Sequence, residues 1–259
     1  MIALVTGAAQ GIGRAFAKEL ISRGNKLIIV DKNKEGLETL KSEIESIDPY
    51  LYVDSLTIDL STHDAANKLF EWTTSKGYEI DILVNNAGIF IFRDFLKVEM
   101  EKVEEILTLH NLTLTKLCHF YGKDMAKRGK GYILNLSSFS AWTPLPGLSL
   151  YVATKSFVKN FTIAYAREVR ESGIRVIAIC PAGVTTDLYG LTPTLQRLGE
   201  KLGILISPKY CAKVGINALM SGRQCKVPFC INRLGIPFVQ LLPPFGVRMM
   251  RKYTMRFQK

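Results

Sequence analysis

Short runs of apolar residues alternate with longer amphipathic stretches over most of the chain. The apolar runs are rich in β-branched residues without polar alternation, which predicts strands buried on both faces at residues 2–6, 26–30, 51–58, 80–84, 132–136 and 174–180. Helical periodicity predicts helices at about 12–23, 34–47, after 61, 98–128 with an interruption near 110–112, 151–171 and 208–220. This order predicts the α/β class: a Rossmann-type, doubly wound parallel sheet with helices on both faces, in a single domain over residues 1–259.

Several residues mark where the predicted helices begin and end. Gly24 follows a helical stretch and is typical of a C-terminal cap. Ser207 followed by Pro208 is typical of an N-cap with proline in the first helical position. Ser61 and Asp64 have the spacing of a capping box, with Asp in the place of Glu, and predict the start of the helix after the third strand.

The composition excludes several classes of protein. With 259 residues, 47% of them hydrophobic, the chain is long enough for one large α/β domain and too apolar to be disordered. The apolar stretch 234–247 has 14 residues and three prolines, whereas a membrane-spanning helix needs about 20 residues. The five cysteines are scattered without a Cys-x-x-Cys pair, which argues against a disulfide framework and a zinc site. With no leader before the first strand, we expect a reducing, cytoplasmic location and no bound metal.

The net charge of +11 comes from the C-terminal part of the chain. Residues 201–259 contain eleven Lys or Arg and no Asp or Glu, and the two signs balance in the remainder. This asymmetry predicts an anionic partner. Because apolar residues are interleaved with cations over about 223–259, one interpretation of this tail is peripheral contact with a membrane. The other is a tail that covers a partner subunit in a homodimer or another homo-oligomer. Nucleic acid is disfavoured, since no basic groove with stacking aromatics accompanies the tail.

Glycines are concentrated where the first strand meets the first helix. The turn contains Gly7, Gly11 and Gly13, with Gln10 and Ile12 between them. Glycine lets the backbone turn sharply and approach a pyrophosphate, whose charge the N-terminus of the helix stabilises. The spacing is Gly-x-x-x-Gly-x-Gly, which differs from the usual Gly-x-Gly-x-x-Gly. Its place at the first strand–helix junction predicts a dinucleotide site.

Asp31 stands at the end of the second predicted strand. A carboxylate there can accept hydrogen bonds from the ribose hydroxyls of the adenosine and would repel a 2′-phosphate, which favours NAD. The alternative role is a cap on the next turn. Lys32 could pair with a 2′-phosphate, so NADP is the alternative cofactor.

Three polar residues near the fifth strand are candidates for catalysis, although a Tyr/Lys pair at helical spacing is more often part of an exposed surface. Tyr151 and Lys155 are four residues apart, and this spacing places both on one face of a helix. Ser138 follows the fifth predicted strand, at the carboxyl edge of the sheet where such sheets bind ligands.

Taken together, these motifs resemble the short-chain dehydrogenase/reductase family, in its compact single-domain branch. The resemblance rests on four motifs in order, from residue 1 to about 190: the glycine turn, Asn85-Asn86-Ala87-Gly88, Ser138 in Asn-x-Ser-Ser, and Tyr151-x-x-x-Lys155. A fifth motif, residues 181–186, departs from the family because Ala182 stands where a glycine is usual.

The resemblance implies a role for each catalytic residue. Tyr151 would be the general acid/base. A free tyrosine has a pKa of about 10, and the charge of Lys155 would favour its phenolate. Ser138 would stabilise the substrate oxygen. Asn111 would hold a water that links Lys155 to solvent, although an exposed helix face is the alternative place for this residue.

The resemblance also implies the cofactor contacts. The expected residues are Gly7, Gln10, Gly11, Ile12, Gly13, Asp31, Asp59, Leu60, Asn86, Ala87, Gly88, Tyr151, Lys155, Pro181 and Thr186. The three histidines, His63, His110 and His119, lack metal-ligand spacing and are expected to take no part in the chemistry.

The substrate is expected to be apolar. The loop 186–206 would form a lid whose leucines have helical spacing, although such a stripe is also typical of a helix packed on the core. The predicted pocket residues are Phe90, Phe139, Trp142 and Leu188. They favour a secondary alcohol or ketone on a steroid-like or lipid-like skeleton. The alternatives are a 3-oxoacyl reductase that uses NADPH and a dinucleotide sensor without catalysis.

Overall fold

The computed structural model describes residues 1–185 and 205–228. The strands in these residues are β1 Ile2–Thr6, β2 Lys26–Asp31, β3 Val53–Thr57, β4 Ile82–Asn85, β5 Gly131–Leu136, β6 Ile174–Ile179, β7 Gly183–Val184, β8 Leu205–Ile206 and β9 Cys225–Lys226. Seven of them form a parallel sheet in the order β3-β2-β1-β4-β5-β6-β9, and β7 pairs with β8.

Helices cover both faces of the sheet. The α-helices of the described residues are α1 Gly11–Ser22, α2 Lys34–Ile47, α3 Ala65–Ser75, α4 Met100–Leu107, α5 Leu114–Lys127, α6 Ser149–Glu168 and α7 Pro208–Met220. Ala3 and Val5 of β1 pack with α1, α2 and α7, whereas Leu4 packs with α3, α5 and α6. This alternation confirms the predicted doubly wound sheet, because neighbouring residues of one strand face opposite helical layers.

Two of the predicted helix-end signals are confirmed, at Gly24 and at Ser207. Gly24 has a φ of +77° and donates its N–H to Ile21, as expected of a C-terminal cap. The side chain of Ser207 accepts a hydrogen bond from the N–H of Tyr210 and caps α7. The interruption near 110–112 is a π-helical segment, Thr108–Thr113, between α4 and α5.

The capping box at Ser61 and Asp64 is wrong. Helix α3 begins at Ala65, and its N-cap residue Asp64 makes no side-chain capping bond. The Ser61 hydroxyl instead donates to Asp59, while the Asp64 carboxylate pairs with Lys68. Local hydrogen bonds with Asp59 thus outweigh the cap that the spacing predicted.

Two short strand pairings lie in places that the periodicity did not predict. Strand β7 pairs with β8 in a separate two-stranded sheet, and β9 extends the seven-stranded sheet. Strand β9 pairs with β6, so Cys225 and Lys226, at the start of the predicted tail, belong to the sheet. The rest of that tail, residues 229–259, lies outside the described residues, as does most of the predicted lid. None of the helices in the described ranges combines the length and the apolar character needed to cross a membrane.

Gly13 lies where the first turn of α1 packs against the loops after β1 and β4. A methyl group at this position would overlap the carbonyl oxygen of Gly7 and the side-chain nitrogen of Asn86. The backbone of Gly7 cannot yield without moving β1, so only glycine fits here.

We expect Gly13→Ala to lower the free energy of unfolding by about 2 kcal/mol or more, because overpacking a close contact forces the backbone to shift. Gly77→Ala is the matched control, since Gly77 has a φ of +69° and open space around its Cα. Its backbone strain costs about 1 kcal/mol. Urea unfolding followed by far-UV circular dichroism measures both. Equal losses in the two variants would contradict the packing argument.

Candidate active site

A cavity of about 320 Å³ opens at the carboxyl ends of β1, β2, β4 and β5. Its position agrees with the rule that open α/β sheets bind ligands where the strand order reverses. Most of the predicted site residues line it: Gly7, Gln10, Gly11, Ile12, Asp31, Asp59, Leu60, Asn86, Ala87, Gly88, Ser138, Tyr151, Lys155 and Pro181.

The turn after β1 forms one wall of the cavity. Gly7 and Gly11 have φ angles of +66° and +57°, a conformation that favours glycine. The N-cap of α1, Gln10, makes no side-chain capping bond, and the first turn of the helix borders the cavity. A helix N-terminus with uncapped N–H groups is suited to an anion such as a pyrophosphate. Gly13 does not line the cavity and instead supports this turn from behind.

Thr6 and Asn86 join the turn after β1 to the loop after β4. The Thr6 hydroxyl accepts hydrogen bonds from the N–H groups of Asn86 (3.0 Å) and Ala87 (3.1 Å) and donates to Val84. The Asn86 amide donates to the carbonyl oxygens of Thr6 (3.0 Å) and Gly7 (3.1 Å). These bonds hold the two loops together across the seam between β1 and β4.

Two carboxylates lie at the far end of the cavity from Tyr151. Asp31 accepts hydrogen bonds from the N–H groups of Ala9 and Asn33, at 3.0 Å each. Burial opposes ionisation of Asp59, but hydrogen bonds from Ser61 and the charge of Lys32 outweigh it and lower the pKa of the carboxyl. The Lys32 ammonium is 3.7 Å from Asp59. Both signs of charge are therefore present where the cofactor ribose is expected.

Ser138 and Tyr151 are buried side chains at the β5 end of the cavity. The Ser138 hydroxyl accepts a hydrogen bond from the N–H of Ser140, which orients it at the start of a 3₁₀ turn. Tyr151 lies in the first turn of α6, and its ring packs edge-on against Phe90 with centroids 5.1 Å apart. The structure thus brings together a hydroxyl and a phenol that lie 13 residues apart in sequence.

Lys155 lies one turn after Tyr151 on α6, and only 5% of its surface is exposed. Its ammonium donates to the carbonyl oxygen of Leu136 (3.0 Å) and is 5.8 Å from the centre of the Tyr151 ring. Burial lowers the pKa of Lys155 to about 8. A charge held here acts strongly on its neighbours because little water screens it.

Asn111 lies in the π-helical segment, a feature that often marks a functional site. Its side-chain oxygen is buried and has no hydrogen-bond partner among the described residues. A buried acceptor of this kind is costly unless a polar group such as water satisfies it. The buried oxygen argues against a fully exposed place for this side chain. Asn111 is not among the residues that line the cavity, and its water-holding role stays a prediction.

The predicted substrate pocket is only partly brought to the cavity. Phe90 packs against the Tyr151 ring but is itself not among the residues that line the cavity. Phe139 and Trp142 do not line the described cavity and pack against Cys180 and Val227 near β6 and β9. Thr186 and Leu188 lie outside the described residues, so the pocket assignment stays a prediction.

Some residues around the site were missed. The unpredicted residues that line the cavity are Ile58, Ile89, Leu109, Leu136, Ser137 and Val184. Ile58, Ile89 and Ser137 adjoin predicted site residues, and Leu136 lies two residues before Ser138, so their positions near strand ends were a signal. His110, expected to take no part, is buried beside Tyr151 and Lys155. Among residues 1–185 and 205–228, no group of three or more His, Cys, Asp or Glu could hold a metal ion.

Comparison with known proteins gives consistent matches. Residues 1–194 match the family model described as short chain dehydrogenase. The very-long-chain 3-oxoacyl-CoA reductase of Homo sapiens is 35% identical over 202 residues, which are 75% of this chain and 63% of the relative. The 17-beta-hydroxysteroid dehydrogenase type 3 of Danio rerio is 32% identical over 193 residues, 73% of this chain and 62% of the relative. The chain therefore spans less than two thirds of the length of these relatives.

Solved structures share the fold. A short-chain dehydrogenase from Sphingobium yanoikuyae in complex with NADPH has a TM-score of 0.79 at 24% identity, covering 98% of this chain and 95% of that one. A 7beta-hydroxysteroid dehydrogenase has a TM-score of 0.84 at 23% identity, with 96% of both chains covered. At this level of identity the likeness shows the architecture alone.

The buried ammonium of Lys155 predicts a pH dependence of stability. Its pKa of about 8 in the folded protein lies below the ordinary value of about 10.4. Between these values the unfolded chain binds more protons than the folded one, so the stability contribution of Lys155 rises with pH. Relative to Lys155→Met, we expect the wild type to gain up to about 1.4 kcal/mol per pH unit from pH 8 to 10.

Urea unfolding of both proteins at pH 7, 8, 9 and 10 measures this difference. Subtracting the variant cancels the groups that the two proteins share. A difference that does not change with pH would show that the folded protein does not shift the lysine pKa.

Proposed function

The chain belongs to the short-chain dehydrogenase family, and on that premise we propose that it interconverts a hydrophobic secondary alcohol and its ketone with a nicotinamide dinucleotide. One observation carries this proposal: Ser138, Tyr151 and Lys155 line the same cavity as the glycine turn after β1. The expected proton donor and the expected phosphate site therefore border one continuous space.

The residues of the cavity fit a dinucleotide. The first turn of α1 would hold the pyrophosphate, Asp31 would bind the adenosine ribose, and Asn86, Ala87 and Gly88 would form the floor. When bound, the nicotinamide supplies or accepts the hydride. The protein contributes binding, orientation and the proton.

Tyr151 is the residue best placed to move that proton. In the direction of reduction its hydroxyl donates a proton to the carbonyl oxygen of the substrate, and in oxidation the phenolate takes the proton back. Lys155, held by Leu136, favours the phenolate through its charge. Ser138 donates a hydrogen bond to the substrate oxygen and stabilises the charge that develops there. Asn111 holds the water through which Lys155 exchanges protons with solvent.

An apolar substrate is supported by the walls of the cavity and by the relatives. Ile89, Leu109 and Val184 line the cavity, and Phe90 packs on Tyr151. Proteins similar to this chain are named for 3-oxoacyl-CoA and for hydroxysteroid substrates. Both substrates carry the reacting oxygen on a large apolar skeleton. The 3-oxoacyl reductase is therefore the second candidate, and it is distinguished by chain-length dependence on acyl thioesters.

The cofactor preference proposed is NAD, on the argument that the Asp31 carboxylate repels a 2′-phosphate. NADP is the alternative, since Lys32 lies beside the same end of the cavity and several similar structures contain NADPH or NADP.

We expect the purified protein to oxidise apolar secondary alcohols with NAD and to reduce the corresponding ketones. Tyr151→Phe removes the proton donor and lowers kcat at least about 100-fold. Tyr50→Phe, at a side chain that is 95% exposed, is the matched control and keeps full activity. Absorbance of the reduced nicotinamide at saturating NAD or NADP measures turnover on steroids, 3-oxoacyl thioesters and sugars.

Each result that differs from this expectation contradicts a different part of the proposal: the cofactor, the substrate class or catalysis itself. Turnover with NADP alone would mean that Asp31 does not select the cofactor. Turnover confined to sugars would exclude an apolar substrate. Tight dinucleotide binding without any turnover would favour the sensor.

For the basic segment at 223–259 we propose peripheral contact with an anionic membrane surface, within a cytoplasmic setting. The support is the excess of cations among apolar residues over 223–259, each cation contributing about 1 kcal/mol near such a surface. The alternative is that this segment covers the surface of a partner subunit in a homo-oligomer.

We expect the protein to float with vesicles that contain 30% phosphatidylserine at low salt, and not with neutral vesicles. Deletion of residues 229–259 should abolish flotation. A protein that stays in the soluble fraction and loses its oligomeric state on deletion, as measured by light scattering, would favour the subunit interface instead.

A further inference from the structure

His110 is a buried residue beside the proposed catalytic groups that the mechanism above does not use. It lies in the π-helical segment directly before Asn111, and 1% of its surface is exposed. Both of its ring nitrogens are within hydrogen-bond distance of a partner. Nε2 is 2.9 Å from the N–H nitrogen of Ile89, and Nδ1 is 2.9 Å from the hydroxyl oxygen of Thr154.

The direction of each hydrogen bond follows from these partners. The N–H of Ile89 can only donate, so Nε2 carries no proton and the neutral ring has its hydrogen on Nδ1. That hydrogen is donated to the Thr154 hydroxyl, which in turn donates to the carbonyl oxygen of Tyr151 (2.9 Å). A single chain of donors thus runs from Ile89 through His110 to the first turn of α6.

The surroundings keep this ring neutral. Burial, and then the nearby charge of Lys155, hold the pKa of His110 well below its usual value. A proton on Nε2 would leave two N–H groups facing each other at Ile89. The electrostatics therefore favour the one tautomer that satisfies both partners.

The three linked segments are those that form the catalytic end of the cavity. Ile89 lines the cavity in the loop after β4, Asn111 follows His110 in the π-helical segment, and Tyr151 and Lys155 project from α6. His110 itself does not line the described cavity. His110 can therefore act on the substrate only indirectly, through the residues to which it is hydrogen-bonded.

We propose that His110 is a positioning residue that fixes the Tyr151–Lys155 turn of α6 on the loop after β4 through Thr154. This inference rests on the proposed function, because it concerns where the proton donor stands relative to the substrate. Displacement of a catalytic group by about 1 Å can lower the rate about 100-fold without loss of the fold.

Thr154 allows a sharp test because its hydroxyl can be removed without changing the shape of the side chain. Thr154→Val breaks the link, and Thr154→Ser restores it. Thr162→Val is the matched control, since Thr162 is equally buried on α6 and its hydroxyl bonds to Asn135 and Val158, away from the cavity. A loss that came only from weakening α6 would appear in the control as well.

We expect Thr154→Val to lower kcat at least about tenfold, with the KM for the dinucleotide within about twofold of wild type. Thr154→Ser and Thr162→Val should stay within about twofold of wild type in kcat. The pH at which kcat/KM is half-maximal should move in Thr154→Val alone. Wild-type kcat in Thr154→Val, or an equal loss in Thr162→Val, would overturn the proposal.

A second measurement does not depend on turnover. Nitrogen-15 spectra of the wild-type histidine rings should show His110 with its proton on Nδ1, unchanged between pH 8 and 5.5. Amide hydrogen exchange of Ile89 should accelerate at least about tenfold in Thr154→Val and not in Thr162→Val.

The turnover measurement and the measurement of proton position and amide exchange distinguish the proposed function from the proposed role of His110. A wild type that turns over no alcohol or ketone contradicts the proposed function. In that case accelerated Ile89 exchange still supports the link through His110. A proton on Nε2, or unchanged Ile89 exchange, overturns the inference whatever the activity.

Discussion

The hydroxyl of Thr6 and the amide of Asn86 hold together the two loops on which the whole cavity depends. Strands β1 and β4 are neighbours in the sheet, but the chain leaves them toward opposite sides of the fold. This divergence opens a crevice that solvent would fill and widen if the loops were free. Four hydrogen bonds of 3.0–3.1 Å across the seam prevent this. The glycine turn and the floor of the cavity therefore keep a constant separation, which a rigid dinucleotide site requires.

At the other end of the cavity a charged group, the ammonium of Lys155, is buried at a cost in stability. Lys155 places an ammonium group among buried residues with the Leu136 carbonyl oxygen as its protein acceptor. Burial of this charge costs stability, as the lowered pKa of Lys155 reflects. Because Lys155 is buried, little water screens its charge from Tyr151. Perturbed groups of this kind are characteristic of functional sites.

The polar groups around Tyr151 form an ordered set. His110 and Thr154 have their hydrogen-bonding capacity met within the protein, whereas the side-chain oxygen of Asn111 has no partner among the described residues. His110 and Asn111, which are adjacent in the π-helical segment, thus differ in their hydrogen bonding. His110 bonds to protein groups, whereas the oxygen of Asn111 can accept a hydrogen bond from a small polar ligand such as water. The π-helical geometry makes this possible because it widens the helix where α4 would otherwise continue into α5.

The amino-acid sequence by itself determined the class of the fold and most of the site. Strands such as β1 and helices such as α2 follow from local periodicity, and Gly7, Tyr151 and Lys155 could be predicted because their spacing is local to a turn or a helix. Ser61 and Asp64 show the limit of such reasoning, since a spacing that suits a cap also suits a turn around Asp59.

Only the tertiary structure decided which distant residues meet. The pairing of β9 with β6, the packing of Phe139 on Cys180, and the bonds of His110 to Ile89 and Thr154 join segments far apart in the chain. His110 belongs to no repeating sequence pattern that would predict its role. That role depends on partners 21 and 44 residues away in the sequence. Local patterns report which face of an element is buried, but the identity of the contacting atoms is set by how the elements pack.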